Sequence, residues 1–177
     1  MDGAQYLDSL RQMNKQVFIH GKRIDTYWQH PCMTPALNCI MATYDLAADP
    51  TPAPDIHKLI KAESPLTGHP VNRFLHVIET GDDLMSRIKL QRLLMRYTGG
   101  CFGGRCVAGA LVNPLWKTTW ELKQADQGSE YHDRFKTWLK SVQENDLVVM
   151  GNVTDPKGDR GLPPHRQPDP DVFTRRR

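Results

Sequence analysis

Cys101 and Cys106, with Gly103 and Gly104 between them, are the residues of this 177-residue sequence whose type and proximity best suit metal chemistry. Thiolates hold zinc and iron–sulfur clusters. On a regular helix a step of five residues sets two side chains about 140° apart, so both thiols reach one metal only if the glycines unwind or bulge the segment. Two buried thiols are the competing reading. Cys32 and Cys39 complete the set, with no second Cys-x-x-Cys, and are expected to pack as small hydrophobes. Four cysteines in an intracellular chain of this size read as thiols or metal ligands, not as a disulfide framework. The histidines at 20, 30, 57, 69, 76, 132 and 165 show no H-x-x-x-H or H-x-H spacing, and read as surface or satisfied core residues.

A second candidate is the polar run Thr154-Asp155-Pro156-Lys157-Gly158-Asp159-Arg160. Its hydroxyl and free turn amides suit the carbonyls and ring nitrogens of a cofactor, and Lys157 or Arg160 suits a pyrophosphate. A turn with solvated charges is the alternative. The sequence contains no Ser-His-Asp arrangement, P-loop or dinucleotide fingerprint.

The elements that must position these residues are mostly helical. Tyr6, Leu7, Leu10 and Met13 predict a short amphipathic helix over 4–13, and Val17 to Thr26 a small hairpin around Gly21 and Lys22. Thr34-Pro35 predicts an N-cap followed by a helix to about Ala48, stopped by prolines at 50, 52 and 54. Thr80 with Asp83 predicts a capped helix to about Tyr97. Lys89, Arg92 and Arg96 fall in one narrow arc of that helix and apolar residues fill most of the rest, so it should be mostly buried. After the glycine-rich turn from Gly99 to Gly104, a further helix is expected to about Ala125, interrupted or kinked at Asn113-Pro114. Ser129 is placed as the cap of a last helix with Tyr131, Phe135, Trp138, Leu139 and Val142 on one apolar face. The character changes at Asp146. Leu147 to Met150 reads as a buried strand, and prolines at 156, 163, 164, 168 and 170 mark an extended segment. A lone strand leaves backbone groups unpaired, so the chain looks unfinished.

At 39% hydrophobic and 24% charged, the chain can bury one core. The formal charge of +3 is small, and Lys89, Arg92 and Arg96 alternate with leucines instead of aromatics, so no nucleic-acid partner is expected. No apolar run approaches membrane-span length and no signal-peptide pattern opens the chain, so a soluble, cytoplasmic protein is expected.

Several segments, in order, carry a family resemblance: Tyr6-Leu7-Asp8-Ser9-Leu10, Thr43-Tyr44-Asp45-Leu46-Ala47, Leu66-Thr67-Gly68 with Asn72-Arg73-Phe74, Cys101 to Val107, and Thr154 to Arg160 followed by Asp169-Pro170-Asp171. The sequence resembles the N-terminal region of the flavin-dependent 4-hydroxybutyryl-CoA dehydratase and 4-hydroxyphenylacetate 3-hydroxylase family. That resemblance implies a mainly α fold: the N-terminal helical domain of an acyl-CoA-dehydrogenase-like protein (1–145), then the first strand and loop of a central β domain (146–177). It implies FAD as cofactor, contacted by Asn152, Thr154, Asp155, Pro156, Lys157, Gly158, Asp159 and Arg160, with Gly161 where serine is expected. It implies for Cys101 and Cys106 a place in a [4Fe-4S] cluster in the dehydratase branch, where the two cysteines are one residue closer together and a histidine and a further cysteine come from far downstream. The reduced-flavin monooxygenase branch, which needs no cluster, is the alternative. A non-catalytic fragment or split subunit is a third reading. The implied partners are an acyl-CoA or phenolic substrate, the missing C-terminal portion, and further copies in a homo-oligomer, the family tetramer. Asn72-Arg73-Phe74 is either a substrate-side element or an arginine bridge between helices.

Overall fold

A computed structural model describes residues 1–102, 105–150, 159 and 161–166. They form a mainly α structure of six helices and two small antiparallel ladders.

Helix α1 (Gly3–Gln12) starts in a capping box, in which Asp2 accepts from the Gln5 amide at 2.8 Å and Gln5 accepts from the Asp2 amide at 2.9 Å. Gly3 then donates to Asp45 Oδ1 at 2.8 Å, and a Cβ there would sit within 2.9 Å of Met41 Cβ and the Asp45 carboxylate. Only glycine allows this approach. Strands β1 (Val17–Ile19) and β2 (Lys22–Ile24) form the expected hairpin, with Val17 opposite Ile24. Its turn residues His20 and Gly21 both have positive φ, which matches the twist of a two-residue hairpin loop.

Helix α2 (Thr34–Ala48) has the expected span but a different start. The cap position is Met33, and the Thr34 hydroxyl donates backward to His30 O at 3.1 Å instead of capping. The prolines that close α2 also open α3 (Pro54–Ile60), which the sequence reading treats only as a stop. Pro54 stands at the first helical positions, where its fixed φ is preorganised and its missing N–H costs nothing, and Ile56 and Ile60 drive the helix into the core. Strands β3 (Lys61–Glu63) and β4 (Pro70–Asn72) follow as a second ladder. Buried Ser64 donates to Gln143 Oε1 at 2.7 Å, and the Gln143 amide donates to Leu75 O at 2.8 Å.

Helix α4 (Gly81–Tyr97) is capped by Thr80, whose hydroxyl accepts from the Asp83 amide at 3.1 Å, as the sequence predicts. The expectation that α4 is mostly buried fails. Only Leu90 and Leu94 are buried, and Leu84, Met85, Ile88 and Met95 are exposed because the described residues cover one side alone.

Helix α5 (Arg105–Gln124) is continuous through Pro114, so of the expected interruption or kink there the interruption does not occur. The Asn113 side chain accepts from the Ile78 amide at 2.8 Å and donates to Gly109 O at 2.9 Å, holding the turn that lacks the proline N–H. Helix α6 (Ser129–Glu144) packs along α5. Its cap is left-handed Gly128, not Ser129. The single apolar face is also corrected: Leu139 and Val142 are buried, whereas Tyr131 and Trp138 face outward.

The end of α6 decides how the rest is held. Asp146 is left-handed (φ 46°), its amide bonds Gln143 O, and the Leu147 amide bonds Val142 O at 3.0 Å, which together form a Schellman ending. Glycine is the usual residue there. Here the carboxylate accepts from Arg105 Nη2 at 2.7 Å, and the Asp146 carbonyl accepts from the Tyr44 hydroxyl at 2.6 Å. Arg105 is 1% exposed, donates to Thr43 Oγ1 at 2.7 Å, and lies 4.0 Å over the Tyr44 ring. Residues 147–150, where a strand is expected, run without a ladder partner among the described residues. Val148 packs on Tyr6, Leu37, Ile40 and Tyr44, Val149 packs on Leu75, Ala108 and Val142, and Leu147 and Met150 are exposed.

Two outcomes follow. Asp146→Gly relieves the left-handed backbone by about 1 kcal/mol but strands a buried guanidinium, which costs about 3 kcal/mol, so urea unfolding should show a net loss of about 2 kcal/mol. Burial, opposed by Arg105, pushes the Tyr44 hydroxyl up to about 12. A raised folded value favours the neutral phenol in the native state, so the stability it contributes is complete below the ordinary tyrosine value and is lost as pH rises toward 12. A tyrosinate titration should contain a late component that Tyr44→Phe removes.

Candidate functional site

The bend between α4 and α5 is built by local rules. The Thr98 amide and hydroxyl both donate to Leu94 O, and its hydroxyl also lies 3.0 Å from Gly100 O. Gly99 and Gly100 take positive φ, a conformation that side chains resist. The chain thus leaves α4 abruptly and exposes Cys101. Phe102 turns the other way, is buried, and meets the Phe74 ring at 5.3 Å.

Helix α5 begins at Arg105, so Cys101 lies outside it and Cys106 is its second residue. The 140° separation expected of one continuous helix therefore does not apply to this pair. Cys106 is half-buried beside the cluster of Leu46, Ile56, Phe74, Leu90, Leu94 and Phe102. Burial first, and then the nearby Cys101, push its thiol up, while Arg87 works in the opposite direction. Arg87 donates to Cys106 O at 3.3 Å, and its guanidinium crosses the space above Gly109, where a Cβ would lie 2.4 Å from Arg87 Cζ. Sequence reasoning missed Arg87 as a partner of this site, because it lies 19 residues from Cys106 with no motif between them.

Fitted against a cluster, the two thiols supply half of a four-ligand set. No group of three or more histidine, cysteine or carboxylate side chains able to hold a metal occurs among the described residues. Asn152, Thr154, Asp155, Pro156, Lys157, Gly158 and Arg160 lie outside the described residues. Asp159 is described and exposed, and accepts from the Gly161 amide at 2.8 Å.

Other expectations resolve. Cys32 is exposed, not buried, and Cys39 is half-buried against the core. His76 and His132 are buried; the remaining histidines are half-buried or exposed. Arg73 is a bridge: it donates to Leu59 O at 2.6 Å and Lys61 O at 2.8 Å and lies 3.6 Å from Asp83, tying α3, β3 and α4 together. Asn72 accepts from the Phe74 amide at 3.0 Å, and Phe74 is buried. An apolar cavity of about 450 Å³ between α1, α2 and residues 146–150 contains none of the candidate cysteines.

The family described as 4-hydroxyphenylacetate 3-hydroxylase N terminal matches residues 2–175. The chain belongs to that family. It is 44% identical over 175 residues to 4-hydroxybutyryl-CoA dehydratase/vinylacetyl-CoA-Delta-isomerase of Clostridium aminobutyricum, covering 99% of this chain and 34% of the relative. With the 4-hydroxyphenylacetate 3-monooxygenase oxygenase component of a Geobacillus species the identity is 23%, over 96% of this chain and 33% of the other. Among solved structures, an oxygen-tolerant archaeal 4-hydroxybutyryl-CoA dehydratase from N. maritimus superposes with TM-score 0.81 at 40% identity, over 97% of this chain and 33% of that one. A 4-hydroxyphenylacetate 3-monooxygenase oxygenase component complexed with FAD and 4-hydroxyphenylacetate shares the fold, with TM-score 0.63 at 21% identity, over 96% of this chain and 33% of that one. The chain spans about a third of the length of these relatives. The acyl-CoA-dehydrogenase-like helical architecture anticipated from sequence is the one observed. No described helix is long and apolar enough to cross a membrane.

The exposure difference sets an order of reaction. Alkylation with iodoacetamide at neutral pH, read by peptide mass spectrometry, should modify Cys101 well before Cys106.

Proposed function

We propose that this chain is the N-terminal portion of a flavin- and [4Fe-4S]-dependent 4-hydroxybutyryl-CoA dehydratase/vinylacetyl-CoA isomerase-like enzyme, inactive by itself. The observation that carries this reading is the 44% identity across the whole chain to the dehydratase, against 23% to a monooxygenase component. Cysteines on both sides of the α4–α5 bend add to it, since hydroxylation by reduced flavin needs no thiolate ligand.

Cys101 and Cys106 would be the chain's ligands to the cluster, and the remaining ligands would come from a segment corresponding to the rest of the relatives. Asn152, Thr154, Asp155, Pro156, Lys157, Gly158, Asp159 and Arg160 would face flavin and substrate, with the Thr154 hydroxyl and turn amides donating to ring carbonyls and Lys157 or Arg160 meeting a phosphate. When bound, the cluster supplies a Lewis acid toward a leaving hydroxyl, and the flavin supplies one-electron chemistry. In this chain Phe102 and Arg105, both buried, fix the peptide that carries the thiols. Arg87 holds the Cys106 carbonyl.

Anaerobic reconstitution of the purified chain with iron, sulfide and FAD tests the reading. A broad thiolate-to-iron absorption band that forms when the chain is mixed with a polypeptide corresponding to the C-terminal two-thirds of the dehydratase, and that is lost in Cys106→Ala, is the expected result. A colourless protein, both alone and mixed with a polypeptide corresponding to the C-terminal two-thirds of the dehydratase, would overturn it.

A further inference from the structure

The charged arc of α4 has no part in the reading above. In the fold, Lys89, Arg92 and Arg96 meet Lys58 of α3 around a shallow cavity of about 440 Å³, completed by Asp55, Leu59 and Leu93. All four cations are exposed on helices whose buried sides, Ile56, Ile60, Leu90 and Leu94, share one core cluster. Their backbones are therefore fixed relative to one another, and among the described residues Asp55 is the only carboxylate lining the cavity.

On α5 and α6 four cations are paired, Lys117 with Glu121, Lys123 with Asp133, Arg134 with Glu130 and Lys140 with Glu144, whereas exposed Lys136 of α6 has no ion pair within 4 Å among the described residues. Among the described residues none of Lys58, Lys89, Arg92 and Arg96 has an ion pair within 4 Å, and Arg92 and Arg96 are like charges one turn apart, which disfavours a helix. The helix dipoles account for Lys58 and Arg96, which lie in last turns, but the effect fades beyond the final turn and does not reach Lys89 or Arg92. Planar guanidinium groups beside lysine ammoniums are the donor set that binds phosphate.

We propose that the face formed by Lys58, Lys89, Arg92 and Arg96 binds the phosphate groups of a nucleotide-bearing ligand. The phosphates of an acyl-CoA substrate and the pyrophosphate of the flavin share this chemistry. The choice between those two carriers rests on the dehydratase reading; the phosphate site does not. The cations line one cavity, and no aromatic side chain lines it among the described residues, which favours a small phosphate ligand over a nucleic-acid strand.

Titration calorimetry on the full chain at low salt tests it, with adenosine 3′,5′-bisphosphate, FAD, inorganic pyrophosphate and a single-stranded oligonucleotide as probes. Lys89→Gln/Arg92→Gln should weaken pyrophosphate about tenfold or more, and Lys117→Gln/Lys140→Gln, which removes equal charge from the paired face, should change it less than about twofold. Loss confined to adenosine bisphosphate among the nucleotide probes assigns the site to the coenzyme A part, and loss confined to FAD assigns it to the flavin. Equal weakening by both double variants, no weakening by either, or tighter binding of the oligonucleotide than of any small phosphate would overturn the proposal. Lys58→Gln, on the other helix, repeats the test independently, and an unchanged thermal midpoint verifies that each variant is folded. No iron is needed, so failure to assemble a cluster leaves this result readable.

Discussion

The structure depends on a buried guanidinium that reaches three elements at once. Arg105 sits at the start of α5, holds Thr43 and Tyr44 of α2, and ends on Asp146 just beyond α6. A buried ion pair is weak evidence for stability, because desolvation offsets the attraction. This one also carries costs: among the described residues Arg105 Nε has no partner, and Asp146 stands where glycine is easier. What the arrangement supplies is geometry. With Arg105 fixed, the bend carrying Cys101 and Cys106 is fixed against α2, and the direction in which the chain leaves α6 toward residue 147 is fixed as well.

That constraint also explains why the family landmarks fall where they do. Thr43, Tyr44 and Asp45 stand in the sequence among the segments that carry the family resemblance. In the structure Thr43 and Tyr44 receive Arg105, while Asp45 receives the Gly3 amide and anchors α1. Asn72, Arg73 and Phe74 close β4, bridge to α4 and support Phe102. Both runs serve the scaffold around the cysteines, and Leu46, which follows the first run, and Phe74 of the second belong to the core cluster against which Cys106 packs.

What was legible in the sequence was local. Capping at Thr80, the hairpin around Gly21 and the span of α2 follow from side chains within a few residues of each other. Errors came where one residue type has two uses. Pro54 stops one helix and starts another, and Thr34 donates into the preceding turn instead of capping its own helix. The Arg105–Asp146 contact spans 41 residues and Ser64–Gln143 spans 79, distances over which no periodicity operates. The cysteine pair could be found from residue type alone, but its geometry could not, because that depends on where α5 begins.

The burial pattern of α4 carries the remaining step. Its leucines and methionines have the distribution of a helix enclosed on most sides, yet the described residues bury only Leu90 and Leu94. Leu84, Met85, Ile88 and Met95 on α4, Leu115 and Trp120 on α5, and Tyr131 and Trp138 on α6 are all exposed. Burying an exposed leucine or tryptophan gains roughly 2 kcal/mol, so each of these side chains leaves that gain unrealised among the described residues. The helical domain thus presents two kinds of outward face, an apolar one distributed over α4, α5 and α6 and a compact cationic one between α3 and α4. Since Arg105 holds the α4–α5 bend against α2, the peptide that carries Cys101 and Cys106 belongs to the same packed scaffold as both faces.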